Sequence, residues 1–302
     1  MRAGFVGLGN MGGAIAERLL AQGVELHVHD PSLAASDRAA ALGATLHGSP
    51  RAVADAAETV FGCLPTVAVA RHVLLGADGI IEGTMVRRYL EMSTIGPAAA
   101  AQHAAAIAER GLAFVDAAVS GGAAAAISGT LAIILAGDAD ALAAAAPLLG
   151  LISDRRFPIG ERAGQAQAMK LVNNLLAAAN MATSFEALTL GVGMGLDPAA
   201  MVEVINAGSG RNTGLVDRRV AAILSRRFDS GPKIALLAKD IELAFDHATA
   251  VGFPLAAAPA LGGMAELWRR AVAAGMAGDD VSALIRVVED QAGLCVRGKD
   301  SV

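Results

Sequence analysis

Short β-type runs alternate with alanine-rich stretches through the first half of the chain: AGFVG at 3–7, ELHVH at 25–29, TVFGC at 59–63, YLEMS at 89–93, AFVDA at 113–117 and LAIIL at 131–135. Runs of this length, rich in β-branched and aromatic residues and separated by helix-length stretches, predict strands joined by helical crossovers. The pattern over residues 1–162 therefore predicts an α/β domain built on a doubly wound parallel sheet. From Ala163 the periodicity changes. The stretch GQAQAMKLVNNLLAAANMATSFEALTLGVGMG has few breakers before its terminal glycines and predicts one long helix. At about 1.5 Å per residue, some thirty residues span about 45 Å, enough to leave one domain and anchor another. Residues 163–302 are predicted all-helical, with helix starts marked by Asp197-Pro198 and by Gly252 to Pro254, ahead of a polar tail, GKDSV. No fixed-period repeat occurs.

Composition narrows the classes. The chain has 302 residues, is 54% hydrophobic and 18% charged, and carries a formal net charge of −5. Enough apolar surface exists to offset the entropy of ordering, which excludes a disordered chain. No long apolar run lacks Asn, Glu, Arg or Pro, so no membrane span is expected. The opening MRAGFVGLG enters a strand-like run with no charged leader, and the cytoplasm is the expected location. A mildly acidic balance without a basic stripe argues against a nucleic-acid partner. Cys63 and Cys295 match no disulfide or metal-ligand spacing, so free thiols and no metal are expected.

Gly7-Leu8-Gly9-Asn10-Met11-Gly12 lies between the first predicted strand and the first predicted helix. Glycines at this spacing permit a tight turn, close approach of a pyrophosphate and close helix packing, while helix N-terminal amides face the anion. Glycine is abundant here, and a merely tight strand-to-helix turn would use the same residues. Strand, motif, helix and second strand in that order point to a dinucleotide site. Asp30 ends the second strand, 18 positions after Gly12. There an acidic side chain accepts hydrogen bonds from the adenine ribose and repels a 2′-phosphate, so NAD is expected over NADP.

Of the 24 basic residues, four are lysines (Lys170, Lys233, Lys239, Lys299), leaving twenty arginines. Arginine cannot release its proton in a protein and lysine can, which singles out a lysine inside an apolar helical run. Lys170 is that residue. Asn174 stands one turn on, on the same face, while Asn173 points about 100° away. Adjacent asparagines cost helix propensity and, if buried, desolvation, so a polar site there would account for them. A lysine moving protons needs desolvation, a neighbouring cation or the helix's positive end to favour its neutral form. A surface lysine is the plainer alternative. Ser120-Gly121-Gly122 follows the strand AFVDA and offers a hydroxyl and unhindered backbone amides to a carboxylate. Taken alone it is equally a flexible loop.

Together these residues resemble the β-hydroxyacid dehydrogenase family, whose type members are 3-hydroxyisobutyrate dehydrogenases and tartronate semialdehyde reductases. Five ordered motifs carry the resemblance over nearly the whole chain: FVGLGNMG, EMSTIGP, DAAVSGG, GQAQAMKLVNN and LLAKDIELA. The resemblance implies an N-terminal Rossmann domain, a long interdomain helix and an all-α C-terminal domain, commonly assembled as a homodimer or homotetramer. It implies reversible hydride transfer between a small β-hydroxyacid and the nicotinamide. Lys170 is then the acid/base, Asn174 holds the reacting oxygen, and Ser120, Gly121 and Gly122 bind the substrate carboxylate. Leu64, Pro65 and Thr94 would line the cofactor, with Lys239 near the nicotinamide.

Three departures bear on specificity. Ala118 replaces the proline usual in DAPVSGG, which suggests a less rigid entry to the substrate loop. Glu91 replaces the usual aspartate before the Ser-Thr pair. Ser209 to Thr213 resembles the family's substrate-side turn, with Arg211 and Asn212 as polar candidates, a surface arginine being the alternative. Asn173 replaces the histidine typical of phosphogluconate dehydrogenases, and Lys170 is the lysine that imine reductases lack. Two other readings stand beside the NAD-dependent dehydrogenase: an NADPH-dependent tartronate semialdehyde or glyoxylate-type reductase, and a non-catalytic NAD-binding sensor.

Overall fold

The computed structural model describes residues 1–298; Lys299 and the rest of the polar tail lie outside the described residues. Eight strands form one sheet: β1 (Arg2–Val6), β2 (Glu25–His29), β3 (Thr45–Leu46), β4 (Thr59–Gly62), β5 (Arg88–Glu91), β6 (Ala113–Ser120), β7 (Ala132–Gly137) and β8 (Arg156–Gly160). Their order is β3-β2-β1-β4-β5-β6-β7-β8. The six strands expected from the sequence are all present. β3 and β8 were not expected, because β3 is two exposed residues and β8 is an exposed edge strand containing Pro158.

The sheet is parallel except between β6 and β7, which pair antiparallel, with Ser120 opposite Ala132. The link between them, residues 121–131, falls just short of the dozen residues a parallel crossover needs, so the chain turns back where it left off. β8 again runs parallel to β7. Helices cover both faces. Ile15, Leu19, Leu26 and Leu148 pack on one side, and Val53, Leu74, Ile80 and Ile107 on the other. Ser32, Ser49, Thr66 and Asp138 cap the following helices by accepting first-turn backbone N–H bonds, each worth about 1 kcal/mol.

Compact units comprise Met1–Lys170 and Leu171–Val302, with the division inside the long helix Gln165–Gly193. The second unit has its own core of helices around Phe185, Leu188, Ile241, Trp268 and Leu284. No strand forms among its described residues; one isolated antiparallel bridge joins Lys233 and Asp280. Asp197 caps the helix Pro198–Ala207, its side chain accepting from the Ala200 N–H. The Gly252–Pro254 signal instead precedes a single short turn, and the helix begins at Pro259.

By length and composition alone the long helix would suffice to cross a membrane, the one such helix among the described residues. Within it Phe185 and Leu188 serve the core of the second unit, and Lys170 and Asn174 are buried. Part of its apolar surface packs against protein, and part, at Val172, Leu176 and Leu190, is exposed.

Candidate active site

β1 runs directly into the glycine loop, and the helix Asn10–Ala21 starts at its end. Gly7 has φ +94°, and a side chain there would strike the Cys63 carbonyl oxygen. A methyl on Gly12 would strike the Gly7 carbonyl oxygen. Space opens only at Gly9, where a methyl would meet nothing within 4 Å. No side chain caps this helix, so its first-turn amides face that space without a capping oxygen. The loop follows β1 and the segment Cys63–Pro65 follows β4, the neighbouring strands at which the winding of the sheet reverses. Such a crevice with orphan amides suits a dinucleotide pyrophosphate.

Asp30 ties this loop to the end of β2. Its Oδ2 accepts from the Leu8 N–H at 2.6 Å and its Oδ1 from the Ser32 N–H at 2.8 Å, leaving each oxygen a further acceptor site. The Leu64 N–H donates to Ser93 Oγ at 2.8 Å, which joins the Cys63–Pro65 segment to the loop holding Thr94. The Gly7–Gly12 loop, Asp30, Leu64, Pro65 and Thr94 thus belong to one connected set of loops at the carboxyl ends of β1, β2, β4 and β5.

Beneath them lies a buried polar array. Gln167, in the first turn of the long helix, uses its whole amide: Nε2 donates to Asp116 Oδ1 at 2.9 Å and to the Ser93 carbonyl at 3.1 Å. Its Oε1 accepts from the Ile95 N–H at 2.9 Å and the Gly96 N–H at 3.2 Å. Asp116 Oδ2 accepts from the backbone N–H groups of Gly164 at 2.9 Å and Gln167 at 3.2 Å. Burial pushes the Asp116 carboxyl up to about 6, against the pull of these donors, and Glu91 adds to the rise. Glu91, its register partner on β5, accepts from Tyr89 Oη at 3.2 Å and the Ser93 N–H at 3.0 Å, with His103 Nδ1 3.6 Å away. Burial, with Glu91 nearby, also raises the Cys63 thiol to about 12, so that sulfur stays protonated.

Ser120 ends β6, and Gly121 has φ +135°, a turn that a side chain would further obstruct against Ala125. Gly122 opens a helix of only six residues, so any anion binding here rests on local amides and the hydroxyl rather than on a macrodipole. Ala118 belongs to no loop. It is a fully buried strand residue paired with Ile134, so its replacement of proline leaves the approach to Ser120 as regular sheet.

Lys170 and Asn174 stand one turn apart on the long helix and are 9% and 8% exposed, as their shared face requires. Asn174 Nδ2 donates to Asp240 Oδ2 at 2.6 Å, and Asn173 Nδ2 donates to Asn174 Oδ1 at 3.2 Å. Lys239 Nζ lies 3.2 Å from Asp240 Oδ1. Lys239, Asp240, Asn174 and Asn173 therefore form one chain of polar contacts in the second unit. Arg211 is exposed. The Asn212 side chain is engaged in its own turn, with Oδ1 accepting from the Gly214 N–H at 2.6 Å and Ser184 Oγ at 3.0 Å, and Nδ2 donating to the Gly210 carbonyl at 2.9 Å.

Sequence reasoning missed three residues here. Asp240 sat in view beside Lys239 in LLAKDIELA, an acid on a face otherwise apolar. Gln167 is three residues before Lys170, a polar residue where the helix must be buried. Asp116 stands in a strand that is otherwise apolar up to Ser120.

A glycine-loop strand-to-helix turn at the sheet's switch point, an acid closing the second strand and a buried lysine define a pyridine-nucleotide-dependent oxidoreductase. Residues 2–160 match the family described as the NAD binding domain of 6-phosphogluconate dehydrogenase, and residues 164–288 that described as NAD-binding of NADP-dependent 3-hydroxyisobutyrate dehydrogenase. The chain is 33% identical to 2-(hydroxymethyl)glutarate dehydrogenase of Eubacterium barkeri, covering 99% of this chain and 98% of that protein. It is 38% identical to NAD-dependent L-serine dehydrogenase of Pseudomonas aeruginosa over 82% of this chain and 85% of that one. Among solved structures, 3-hydroxyisobutyrate dehydrogenase from Salmonella typhimurium superposes with a TM-score of 0.86 at 27% identity, covering 95% of this chain and 99% of that one. The chain belongs to the β-hydroxyacid dehydrogenase family, and it is an NAD(P)-dependent enzyme acting on a small hydroxyacid.

Proposed function

We propose that this enzyme oxidises a three- or four-carbon β-hydroxyacid of the 3-hydroxyisobutyrate type reversibly, with NAD as cofactor and Lys170 as the acid/base. The observation that carries the reading is the burial of Lys170 one turn before Asn174, whose amide is held by Asp240. Bound there, the cofactor would supply the hydride acceptor for the carbinol carbon and, in its reduced form, the hydride donor for the carbonyl carbon. Lys170 Nζ takes the hydroxyl proton during oxidation and gives it to the carbonyl oxygen during reduction. The second Nδ2 hydrogen of Asn174, not needed by Asp240, holds that oxygen in line. Lys239 Nζ lies against one carboxylate oxygen of Asp240 while the other accepts from Asn174. Ser120 Oγ and the amides of Gly121 and Gly122 receive the substrate carboxylate. Arg211 faces a polar substituent, while Asn212 fixes the turn that presents it.

Gly7 to Gly12 hold the pyrophosphate, and Leu64, Pro65 and Thr94 line the nicotinamide half. The free acceptor sites of Asp30 favour a ribose diol over a 2′-phosphate. A relative named as an NAD-dependent L-serine dehydrogenase supports the same cofactor. Exposed apolar side chains along the long helix, Val172, Leu176 and Leu190, support a homodimer or homotetramer, which sedimentation velocity would measure. The test of the chemistry is Lys170→Ala, assayed against a panel of β-hydroxyacids with NAD and NADP in parallel. We expect kcat to fall by about 10²–10⁴-fold with NADH affinity nearly unchanged. A variant that retains its kcat ends the assignment.

A further inference from the structure

The amide of Gln167 stands between two parts of the first unit that the chemistry needs in register. On one side are the loop residues Ser93, Ile95 and Gly96, beside Thr94. On the other are Asp116 and the first turn of the helix that carries Lys170. A primary amide has two donor hydrogens on one end and an acceptor oxygen on the other. Here the oxygen meets two backbone donors and the nitrogen meets two acceptors, so the side chain is held in one orientation. Asp116 completes the array by accepting from Gly164 and Gln167, amides of the helix start that no other side chain caps. Buried polar groups are costly unless satisfied, and this array satisfies every group it contains.

We propose that Gln167 and Asp116 are positioning residues that bolt the loop Ser93–Gly96 to the start of the long helix and so fix where Lys170 stands relative to that loop. The proposal rests on Lys170 being the acid/base. Gln167 is three residues from Lys170, less than one turn, so rotation or slippage of the first turn moves the amine directly. Misplacement of a reacting group by about 1 Å can lower turnover a hundredfold. Ionised, Asp116 accepts its three N–H donors at full strength, whereas a proton on it weakens them and adds an O–H donor among donors. The titratable groups around it are Glu91 on β5, with Tyr89, Cys63 and His103 about Glu91, and Lys170 further along the helix. An acid limb in kcat belonging to Asp116 follows, carried by loss of the array rather than by a step at the substrate.

The test exchanges the two partners. Asp116→Asn sets an amino group against the Gln167 amino group, and Gln167→Glu sets two carboxylates against each other. In the double variant donor and acceptor trade places, and every bond except that to the Ser93 carbonyl has its partner again. Measurements at about pH 8 compare kcat, KM, NADH affinity by fluorescence titration, and folded fraction by circular dichroism. We expect each single variant to lose at least about tenfold in kcat, NADH dissociation constants within about threefold of the parent, and substantial recovery of kcat in the double variant. Should a single variant fail to fold, the folding, NADH affinity and kcat of the double variant carry the same test. Folded single variants with parental kcat, or a folded double variant no better than the worse single, overturn the proposal. Lys170→Ala run alongside separates the two failures. An inactive lysine variant without rescue sinks the positioning role alone, whereas an active one sinks the lysine reading and the proposal with it.

Discussion

Asp30 holds the Leu8 and Ser32 amides, and the proposed contact with the ribose would add a second task to the same side chain. Asp30→Ala should therefore weaken NAD more than NADP in binding titrations, and it should also loosen the glycine loop. Equal losses for both cofactors would contradict the ribose role. Asp116 presents a conflict between stability and use. Its folded value of about 6 stands above the ordinary 3.8, so the folded chain binds that proton more tightly than the unfolded one. This contribution favours folding fully below about pH 4 and is lost as pH rises through about 6. On acidification from about pH 7 to about pH 4, the parent should gain stability relative to Asp116→Asn in urea melts, and a constant difference would refute the shift. The ionised form needed by the Gln167 array is thus the less stable one. Cys63 is half-buried and its thiol stands near 12, so in the native state it should react with thiol reagents much more slowly than exposed Cys295, and both should react at similar rates in denaturant. Lys170, Asn174, Asp30 and the glycines were legible because each breaks a local pattern. Asp116 and Gln167 were not, because their partners lie 48 to 74 positions away and no local rule joins them.

At the scale of elements, the strand-to-helix turn divides its glycines by what surrounds them. A methyl at Gly12 meets backbone, so Gly12→Ala should lower the melting temperature. A methyl at Gly9 meets open space, so Gly9→Ala should fold normally and lose affinity for NADH by calorimetry. A Gly9→Ala variant with unchanged affinity would remove the pyrophosphate from that crevice. Six of the eight strands could be read because they are apolar and buried. β3 and β8 could not, since exposed edge residues carry no alternation, and Pro158 argues against a strand unless it lies at an edge. The antiparallel return of β7 depended on the length of the connection, which the reading of strands did not weigh. The long helix was evident from its lack of breakers.

Across the whole molecule, the first unit packs apolar side chains on both faces of its sheet and the second has a helical core of its own, two architectures that the change from alternating to helical periodicity foretold. Saturation with NADH at a hundred times its dissociation constant should stabilise the native protein by about 2.7 kcal/mol, read as a rise in melting temperature that grows with concentration. A melting temperature indifferent to NADH would mean that the native state does not select the cofactor. The clamp of Gly164 and Gln167 onto Asp116 has one more result, which concerns the phase of the long helix. With its origin pinned, each residue inserted between Gln167 and Lys170 would carry the amine about 100° around the axis and about 1.5 Å along it. A one-residue insertion there should silence turnover while the first unit still binds NADH. The same insertion after Leu196, beyond the helix, leaves that angle untouched and should spare turnover, so with Lys170 as the proposed acid/base the spacing from clamp to lysine becomes a requirement in its own right.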